Sequence, residues 1–148
     1  MPSCIFCAIL AGEAEASVVI DEDVVAFLDL FPWSVGHTLV IPRRHAQHVG
    51  ELSAEERSAM FEAGTRVATA LRASGLAEDV HFVLNDGPVA AQTVPHAHLH
   101  VVPRKKGDKR RMIPRLLTAM APPLWRKRRG ELDTTAQQIR DALGQADS

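Results

Sequence analysis

The sequence predicts an α+β fold with a mainly antiparallel five-stranded sheet, one long helix and a C-terminal helix. Short β-branched runs separated by charged or glycine-rich turns predict strands joined as hairpins, which pair in antiparallel fashion. One longer segment has apolar residues at helical spacing and suits a helix packed on such a sheet. The chain of 148 residues is long enough for one domain with an ordinary hydrophobic core.

The first half of the chain begins with a short apolar helical turn over residues 4–10, which Gly12 ends. An acidic turn at residues 21–23 then separates two β-branched runs and predicts a hairpin. A third run stops at Pro42, because proline cannot donate a backbone hydrogen bond to a sheet. The five predicted strands comprise residues 17–21, 24–28, 38–41, 80–84 and 98–102.

The long helix is predicted to begin at Ser53, since Glu56 three residues later completes a capping box, and to end at Gly75. A second capping box, Thr134 with Gln137, predicts the start of the C-terminal helix. The apolar faces of the two helices comprise Met60, Ala63, Val67 and Leu71, and Ala136, Ile139 and Leu143.

The composition is that of a soluble globular protein, with 46% hydrophobic and 24% charged residues and a net charge of −1. We expect a domain of residues 1–110 and a C-terminal extension of residues 111–148 that packs on the same domain. Basic residues concentrate in segments 104–111 and 126–129, which are either solvated loops or a positive rim that attracts polyphosphates. Because aromatic residues are not interleaved with these charges, nucleic acid is not the expected partner.

The chain contains no apolar stretch long enough to cross a membrane, and its first ten residues do not have the pattern of a signal peptide. Its two cysteines lie too close together to form a disulfide framework. We therefore expect a cytoplasmic protein that does not bind membranes.

The candidate functional site is a row of three histidines, His96, His98 and His100, at strict two-residue spacing. In an extended strand alternate side chains share a face, so the three imidazoles should project from one side. The intervening residues, which should point into the core, are Ala97, Leu99 and Val101. A row of imidazoles can supply a nucleophile, a proton donor or metal ligands near neutral pH.

The motifs around this row identify a family. Phe-Leu-Asp at 27–29, Gly-His-Thr-Leu-Val-Ile-Pro at 36–42 and Asn-Asp-Gly-Pro at 85–88 resemble, together with the row, the histidine-triad (HIT) nucleotide hydrolases and transferases. The resemblance covers about residues 4–108. The stretch from Asp-Gly-Pro through Gln-Thr-Val to Arg-Lys-Lys-Gly-Asp is similar to the fragile-histidine-like branch, which cleaves dinucleoside polyphosphates, whereas Cys-Ile-Phe-Cys at 4–7 is similar to the zinc-carrying prokaryotic branch.

The resemblance implies a HIT fold, a homodimer paired through the sheet and long helix, and a small-molecule nucleotide substrate. It implies an enzyme that cleaves at the α-phosphate of a nucleoside phosphoramidate or dinucleoside polyphosphate through a nucleotidyl-histidine and releases a nucleoside monophosphate. Phosphorolysis by the same nucleophile and a non-catalytic nucleotide-binding role are the alternatives.

Within the triad the resemblance gives the nucleophilic role to the middle histidine, His98. His100 would donate a hydrogen bond to a phosphate oxygen as negative charge builds on it, and Thr93 would assist the leaving group. His96 completes the triad and is included among the catalytic positions.

The positions that the resemblance assigns to substrate contacts are Ile20, Phe27, Asp29, His37, Asn85, Gln92 and Thr93. Asp29 would accept hydrogen bonds from the ribose hydroxyls, and Phe27 and Ile20 would line a base pocket, although each could equally be core. Asn85 would reach the phosphates, or else form a turn before Asp-Gly. His37 would support the triad from behind or be a buried structural histidine. Family members commonly carry glycine where this chain has Ala91 in the phosphate loop.

Cys4 and Cys7 have the spacing with which a short turn holds one metal ion. The resemblance implies a structural zinc ion completed by His45 and His96, with His48 as the competitor for His45. The alternatives are a redox pair or buried reduced thiols, and the redox interpretation lacks a thioredoxin-like βαβ context.

Overall fold

A computed structural model describes the backbone of residues 4–117 and 126–146, and the side chains of residues 4–114 and 126–146. The fold is α+β, as predicted, with a five-stranded sheet in the order β1-β2-β3-β5-β4 whose neighbours all pair antiparallel. The strands are β1 Val18–Asp21, β2 Val24–Leu28, β3 Thr38–Pro42, β4 Asp79–Leu84 and β5 Leu99–Arg104. The helices are α1 Ile5–Leu10, α2 Ala54–Ala73, α3 Lys109–Leu117 and α4 Arg129–Ala146, with short 3₁₀ turns at Val49–Glu51 and Pro88–Ala90.

The central strands form a rigid platform for the histidine row. β5 is hydrogen-bonded to β3 on one side and to β4 on the other, and the residues Leu99 to Pro103 of β5 are all buried. β4 occupies an edge, and it is more exposed than β5 because it has a partner on one side only. All five strands agree with the predicted ones to within two residues at each end.

The long helix begins where the capping box predicts. The Ser53 hydroxyl accepts from the Glu56 backbone N–H at 3.1 Å, and the Glu56 carboxylate accepts from the Ser53 N–H at 2.7 Å. Gly64, in the middle of α2, faces β5 so closely that a Cβ there would lie 2.9 Å from the Leu99 side chain. The helix therefore lies directly against the strand that carries His100.

The sheet separates two hydrophobic clusters. The larger one lies between the sheet and helices α2 and α4, and it includes Leu99 and Val101 of β5. The smaller one lies on the opposite face under α1 and comprises Phe6, Val25, Phe27, Leu39 and Ile41. Because side chains alternate along β5, its histidine lies on the face of the smaller cluster.

The C-terminal region differs from the sequence prediction in two ways. Helix α4 begins at Arg129 and not at Thr134, whose hydroxyl instead donates to the Gly130 carbonyl inside the helix at 2.9 Å. A helical threonine can make this local bond as readily as a capping one, so the apparent capping box was misleading. Helix α3 was not predicted, because its first residues are basic and the stretch that contains its apolar residues is short. The division at residue 110 stays a prediction.

Across residues 4–117 and 126–146, none of the helices combines the length and the apolar character needed to span a membrane.

Candidate functional site

The three histidines of the row lie on one side of the sheet, beneath helix α1. His96 lies in a bend before β5, His98 directly precedes the strand, and His100 is its second residue. The ring centroids of His98 and His100 are 4.8 Å apart, and the edge of Phe6 contacts the rings of His96 and His98. All three imidazoles are at least nine-tenths buried.

His98 has a lone pair on the ring nitrogen Nε2. Its Nδ1 lies 2.7 Å from the His96 carbonyl oxygen, which can only accept, so Nδ1 carries the hydrogen. A neutral imidazole with hydrogen on Nδ1 leaves Nε2 unprotonated. Burial lowers the pKa of His98 below its ordinary value, which favours this neutral form at pH 7. The main chain of His96 therefore fixes His98 in the form whose Nε2 lone pair is free.

In His100 the hydrogen lies on the other ring nitrogen, Nε2. Its place is fixed by a chain of hydrogen bonds from the Trp33 main chain through His37 to His100, which we call the relay. The Trp33 backbone N–H donates to His37 Nδ1 at 3.0 Å, so neutral His37 carries its hydrogen on Nε2. That Nε2–H donates to His100 Nδ1 at 2.9 Å. His100 consequently carries its own hydrogen on Nε2 and can donate it.

Burial accounts for the neutral state of both members of this relay. It lowers the pKa of His37 to about 3 and that of His100 to about 3. The two rings therefore stay uncharged through the physiological range, and His100 is a hydrogen-bond donor without being a cation.

Asp29 is the acidic group nearest to this relay. It follows β2, and its Oδ2 lies 3.7 Å from His37 Nε2 while its Oδ1 accepts from the Phe31 N–H at 2.9 Å. Its side chain is 17% exposed, so one edge of the carboxylate can be reached from solvent. Burial raises the pKa of Asp29 above its ordinary value.

The predicted base-pocket residues separate onto two faces of the sheet. Phe27 lies in the smaller cluster and packs edge-on against Phe6 at 5.5 Å between ring centroids. Ile20 belongs to the larger cluster on the opposite face, so its prediction as a pocket residue is wrong. The reason is an irregularity in the β1–β2 register between Val18 and Ile20, which leaves Val18 as the β1 residue packed beside Phe27.

The loop of residues 85–93 after β4, which we call the phosphate loop for its predicted role, is held together by hydrogen bonds from its own side chains. Gln92 is buried: its Oε1 accepts from the Gly87 N–H at 3.0 Å, and its Nε2 donates to the Gln47 carbonyl at 2.8 Å. Asn85 Nδ2 donates to the Ala91 carbonyl at 3.4 Å. Both amides are thus engaged with main chain, whereas Thr93 is exposed beside them. Their roles toward a substrate stay predictions.

A second cluster brings Cys4, Cys7, His45 and His96 together, with one donor atom from each lying within 4.8 Å of the others. His96 Nδ1 is 3.5 Å from Cys4 Sγ and 3.7 Å from Cys7 Sγ, and His45 Nδ1 is 3.3 Å from Cys7 Sγ. Tetrahedral zinc places a nitrogen and a sulfur ligand about 3.6 Å apart.

The hydrogen bonds of His96 also fit a metal ligand. Its Nε2 donates to the Pro42 carbonyl at 2.9 Å, so the lone pair is on Nδ1, which faces the two sulfur atoms. Both ring nitrogens of His96 are therefore engaged away from the His98 ring. Its carbonyl oxygen is the acceptor for His98 Nδ1, and a catalytic role for its side chain stays a prediction.

His48, the predicted competitor for His45, points elsewhere. Its Nδ1 lies 3.2 Å from Asp86 Oδ1, and the same oxygen accepts from the Val49 N–H at 3.1 Å. Among the residues that the structure describes, these four donors form a cluster with no fifth side chain, which is the composition of a closed metal site of the structural kind.

Two residues of the site were not predicted from the sequence. Phe6 packs against the His98 ring, and its position between Cys4 and Cys7 could have indicated this. Trp33 stacks on His100, with ring centroids 4.9 Å apart and planes 12° apart. Its place in the short connection between Asp29 and His37 was the available signal.

The comparisons with known proteins agree with this geometry. A family model described as the HIT domain matches residues 11–107. The chain belongs to the HIT family. A relative described as an uncharacterized HIT-like protein of Mycobacterium tuberculosis is 40% identical over 146 residues, covering 98% of this chain and 96% of the relative.

Two solved histidine-triad structures match nearly the whole chain. A zinc-bound histidine triad family protein from Mycobacterium smegmatis is 39% identical, with a TM-score of 0.82 over 98% of this chain and 96% of that one. A hypothetical histidine triad nucleotide-binding protein from Sulfolobus tokodaii is 26% identical, with a TM-score of 0.82 over 97% of this chain and 94% of that one.

Proposed function

We propose that this HIT protein is a nucleotide hydrolase or transferase that cleaves at the α-phosphate through a nucleotidyl-histidine on His98. The observation that carries the proposal is the complementary pair of imidazoles, in which buried His98 offers a free Nε2 lone pair and neighbouring His100 offers an Nε2–H. A protein that only bound nucleotides would have no need of a neutral nucleophile held beside a neutral donor.

The reaction proceeds in two balanced steps. His98 Nε2 attacks the α-phosphorus, forming a P–N bond while the bond from phosphorus to the leaving oxygen or nitrogen breaks, and the leaving group takes a proton. The His100 N–H stabilises the charge that develops on a phosphate oxygen. Water then attacks the same phosphorus, the P–N bond breaks, a proton is released, and His98 and a nucleoside monophosphate are regenerated.

The remaining predicted contacts suit a ribonucleotide. The partly exposed Asp29 carboxylate accepts hydrogen bonds from ribose hydroxyls, and Phe27 with Phe6 contributes apolar surface for the base. The hydroxyl of the exposed Thr93 would assist the leaving group. The description of the Sulfolobus relative as a nucleotide-binding protein supports the same substrate class.

Cys4, Cys7, His45 and His96 hold one structural zinc ion. The donor set of two thiols and two imidazoles, the lone pair on His96 Nδ1, and the zinc bound to the Mycobacterium smegmatis relative support this assignment. Zinc would cross-link α1 to the region of the sheet. With four protein ligands it would have no open coordination position for a substrate. Thiols kept reduced as ligands suit a reducing compartment such as the cytoplasm.

The protein forms a homodimer through β4 and α2. Phe61 on α2 and Phe82 on edge strand β4 are 51% and 42% exposed, and their ring centroids lie 6.5 Å apart. An open strand edge beside an apolar patch favours a self-complementary interface. Analytical ultracentrifugation should find a dimer for the wild type and for Val35→Asp but a monomer for Phe82→Asp; a monomeric wild type would contradict this proposal.

The decisive experiment measures turnover of adenosine phosphoramidate, diadenosine tri- and tetraphosphate and adenylyl sulfate. At least one should yield the nucleoside monophosphate. Because hydrolysis of the triphosphate also releases a nucleoside diphosphate as leaving group, phosphorolysis would be indicated by nucleoside diphosphate that replaces the monophosphate only when phosphate is present.

On the best substrate, His98→Ala should lower kcat by about a thousandfold or more while nucleotide affinity changes little, because the nucleophile acts only in the chemical steps. Wild type quenched under alkaline denaturing conditions, in which the P–N bond to histidine survives, should retain labelled nucleotide on histidine, and His98→Ala should not. The matched control is His81→Ala on β4, which should retain wild-type turnover. A loss below about tenfold would remove His98 from the nucleophilic role.

A further inference from the structure

Trp33, in the loop between β2 and β3, contacts both imidazoles of the relay. Its indole lies nearly parallel to the His100 ring, with 4.9 Å between centroids and 12° between planes. The same indole is tilted by 49° against His37 at 4.8 Å, while its backbone N–H donates to His37 Nδ1. One residue thus controls the relay through both its main chain and its ring.

The loop that carries Trp33 is fastened on both sides. The Ser34 hydroxyl donates to the Pro103 carbonyl of β5 at 2.7 Å. Gly36 has a φ of +91° and packs so closely on α2 that a Cβ would lie 2.9 Å from the Leu71 side chain. These contacts hold the indole in place before any ligand arrives.

The stack bears directly on the proton of His100. A second proton on His100 would have to occupy Nδ1, which already accepts from His37, so protonation would break that bond. An imidazolium also needs water or an anion around it, and the ring is 7% exposed with the indole over one face. Because an aromatic face attracts a cation, the indole also favours the protonated ring to some extent. The relay and the burial of His100 oppose this attraction.

We propose that Trp33 is a positioning residue whose indole seals one face of His100 and keeps its Nε2–H turned toward the substrate. The proposal rests on the proposed function for its consequence in catalysis, although its structural part concerns the free protein. Trp33 acts through His100 and need not touch the reacting atoms.

The test is histidine ring ¹⁵N NMR on the substrate-free protein between pH 4 and pH 8, with Trp33→Ala and Trp33→Phe as variants. In wild type, His100 should show an unprotonated Nδ1 and a protonated Nε2 throughout, because burial holds its pKa at about 3. In Trp33→Ala, water reaches the ring and the His100 pKa should rise by at least about one unit, with Trp33→Phe restoring most of the difference. The titratable groups that face His100 are His37, His98 and Asp29, and their signals are followed in the same spectra.

Phe31→Ala is the matched control, since Phe31 lies in the same loop and its side chain is 37% exposed. It should leave the His100 signals unchanged. If Trp33→Ala does not fold, Trp33→Leu keeps an apolar side chain but no planar stack and should show the same rise. A wild-type His100 that titrates near 6.5, or one unaffected by removal of the indole, would overturn the proposal.

The NMR result does not depend on any substrate, so it separates this proposal from the proposed function. If the relay behaves as expected and no nucleotide is cleaved, the proposed function fails and the role of Trp33 toward His100 stands. With an active substrate, Trp33→Ala should lower kcat by about twofold or more near pH 4 and less near pH 8, with KM nearly constant.

Discussion

The proton positions of the site histidines follow from what each ring nitrogen faces. A carbonyl can only accept, so the His96 carbonyl fixes hydrogen on His98 Nδ1 and the Pro42 carbonyl fixes hydrogen on His96 Nε2. A backbone N–H can only donate, and through His37 it leaves His100 with hydrogen on Nε2. Three residues of the same type, within five positions of one another and without net charge, thereby present a lone pair toward the cysteines, a free Nε2 lone pair and an Nε2–H donor.

Ala91 is the single non-glycine residue with positive φ in the described chain, and its φ of 64° lies in the left-handed region. That conformation costs an L-residue roughly 1–2 kcal/mol, while glycine loses roughly 0.4–1 kcal/mol more in unfolded-chain entropy. Ala91→Gly should therefore raise the free energy of unfolding by about 0.5–1 kcal/mol in a denaturant titration. The neighbouring Ala90→Gly should lower it, and stabilisation by both substitutions would contradict this explanation.

At the scale of elements, the segment from Pro42 to Val49 connects the metal cluster to the phosphate loop. It supplies His45 to the cluster, and its Ala46 carbonyl accepts from the Ala97 N–H of the histidine row at 2.7 Å. Farther along, the Gln47 carbonyl binds Gln92 of the loop. The consecutive residues 45–47 thus link the Cys/His cluster, the histidine row and the loop that contains Gln92.

Gln92→Leu tests this connection. The substitution keeps the side-chain volume but leaves the buried Gly87 N–H without its acceptor, at a cost of about 1–3 kcal/mol. Hydrogen exchange of amides 87–91 should accelerate about tenfold or more, and nucleotide affinity should fall. Gln138→Leu removes an amide-to-carbonyl bond to Ser74, at the C-terminal end of α2, and should change neither. Unchanged exchange in the loop would show that Gln92 is not its brace.

The sheet and the long helix could be predicted because their signals are local. Alternating and helical apolar spacing depend only on neighbours in sequence, so all five strands and the Ser53 cap were found. Ile20 was misplaced because a register irregularity changes which face a side chain joins, and no local pattern reveals it. The early start of α4 at Arg129 was missed since polar residues dominate its first turn.

For the site, the sequence predicted the residues better than their connections. The cluster around Cys4 and the row ending at His100 assemble as expected, because spacing within each motif already constrains the geometry. The relay passes from His37 in the loop before β3 to His100 in β5, and the engagement of Gln92 with Gln47 also joins positions far apart in the chain. Such tertiary contacts have no signature in a single sequence.

At the scale of the whole molecule, the metal cluster joins α1 near the N-terminus to the middle of the sheet. Zinc should co-purify at about one ion per chain, and chelation should lower Tm by about 5–10 °C, as expected for loss of a ligand held about a hundredfold above its Kd. Activity at moderate temperature should fall less, because the ion leaves no position for substrate. The double substitution Cys4→Ser with Cys7→Ser should reproduce the lower Tm and abolish its response to chelator. Metal-free protein after purification without chelator or histidine tag would contradict the zinc assignment.

The buried relay also makes the stability of the whole fold depend on pH. His37 and His100 bind protons in the unfolded chain near their ordinary pKa of 6.5, but in the folded chain the pKa of each is about 3. The unfolded state therefore holds more protons between these values, so the free energy of unfolding falls as pH drops from about 6.5 toward 3. The raised pKa of Asp29 acts in the opposite direction, and it is common to wild type and histidine variants.

Denaturant titrations at pH 6 and pH 5 isolate the histidines, because most carboxyl groups titrate at lower pH. Between pH 6 and pH 5, protonation of each of the two relay histidines in the unfolded chain should lower the free energy of unfolding by about 1 kcal/mol. The pair together should therefore lower it by about 2 kcal/mol in wild type. His37→Gln should lose about 1 kcal/mol less than wild type over the same interval, whatever its stability at pH 7. His81→Gln, at an exposed position on β4, should follow wild type. Parallel pH dependence in wild type and His37→Gln would mean that the relay takes up protons without unfolding, and the neutral pair at the centre of the proposed chemistry would have to be abandoned.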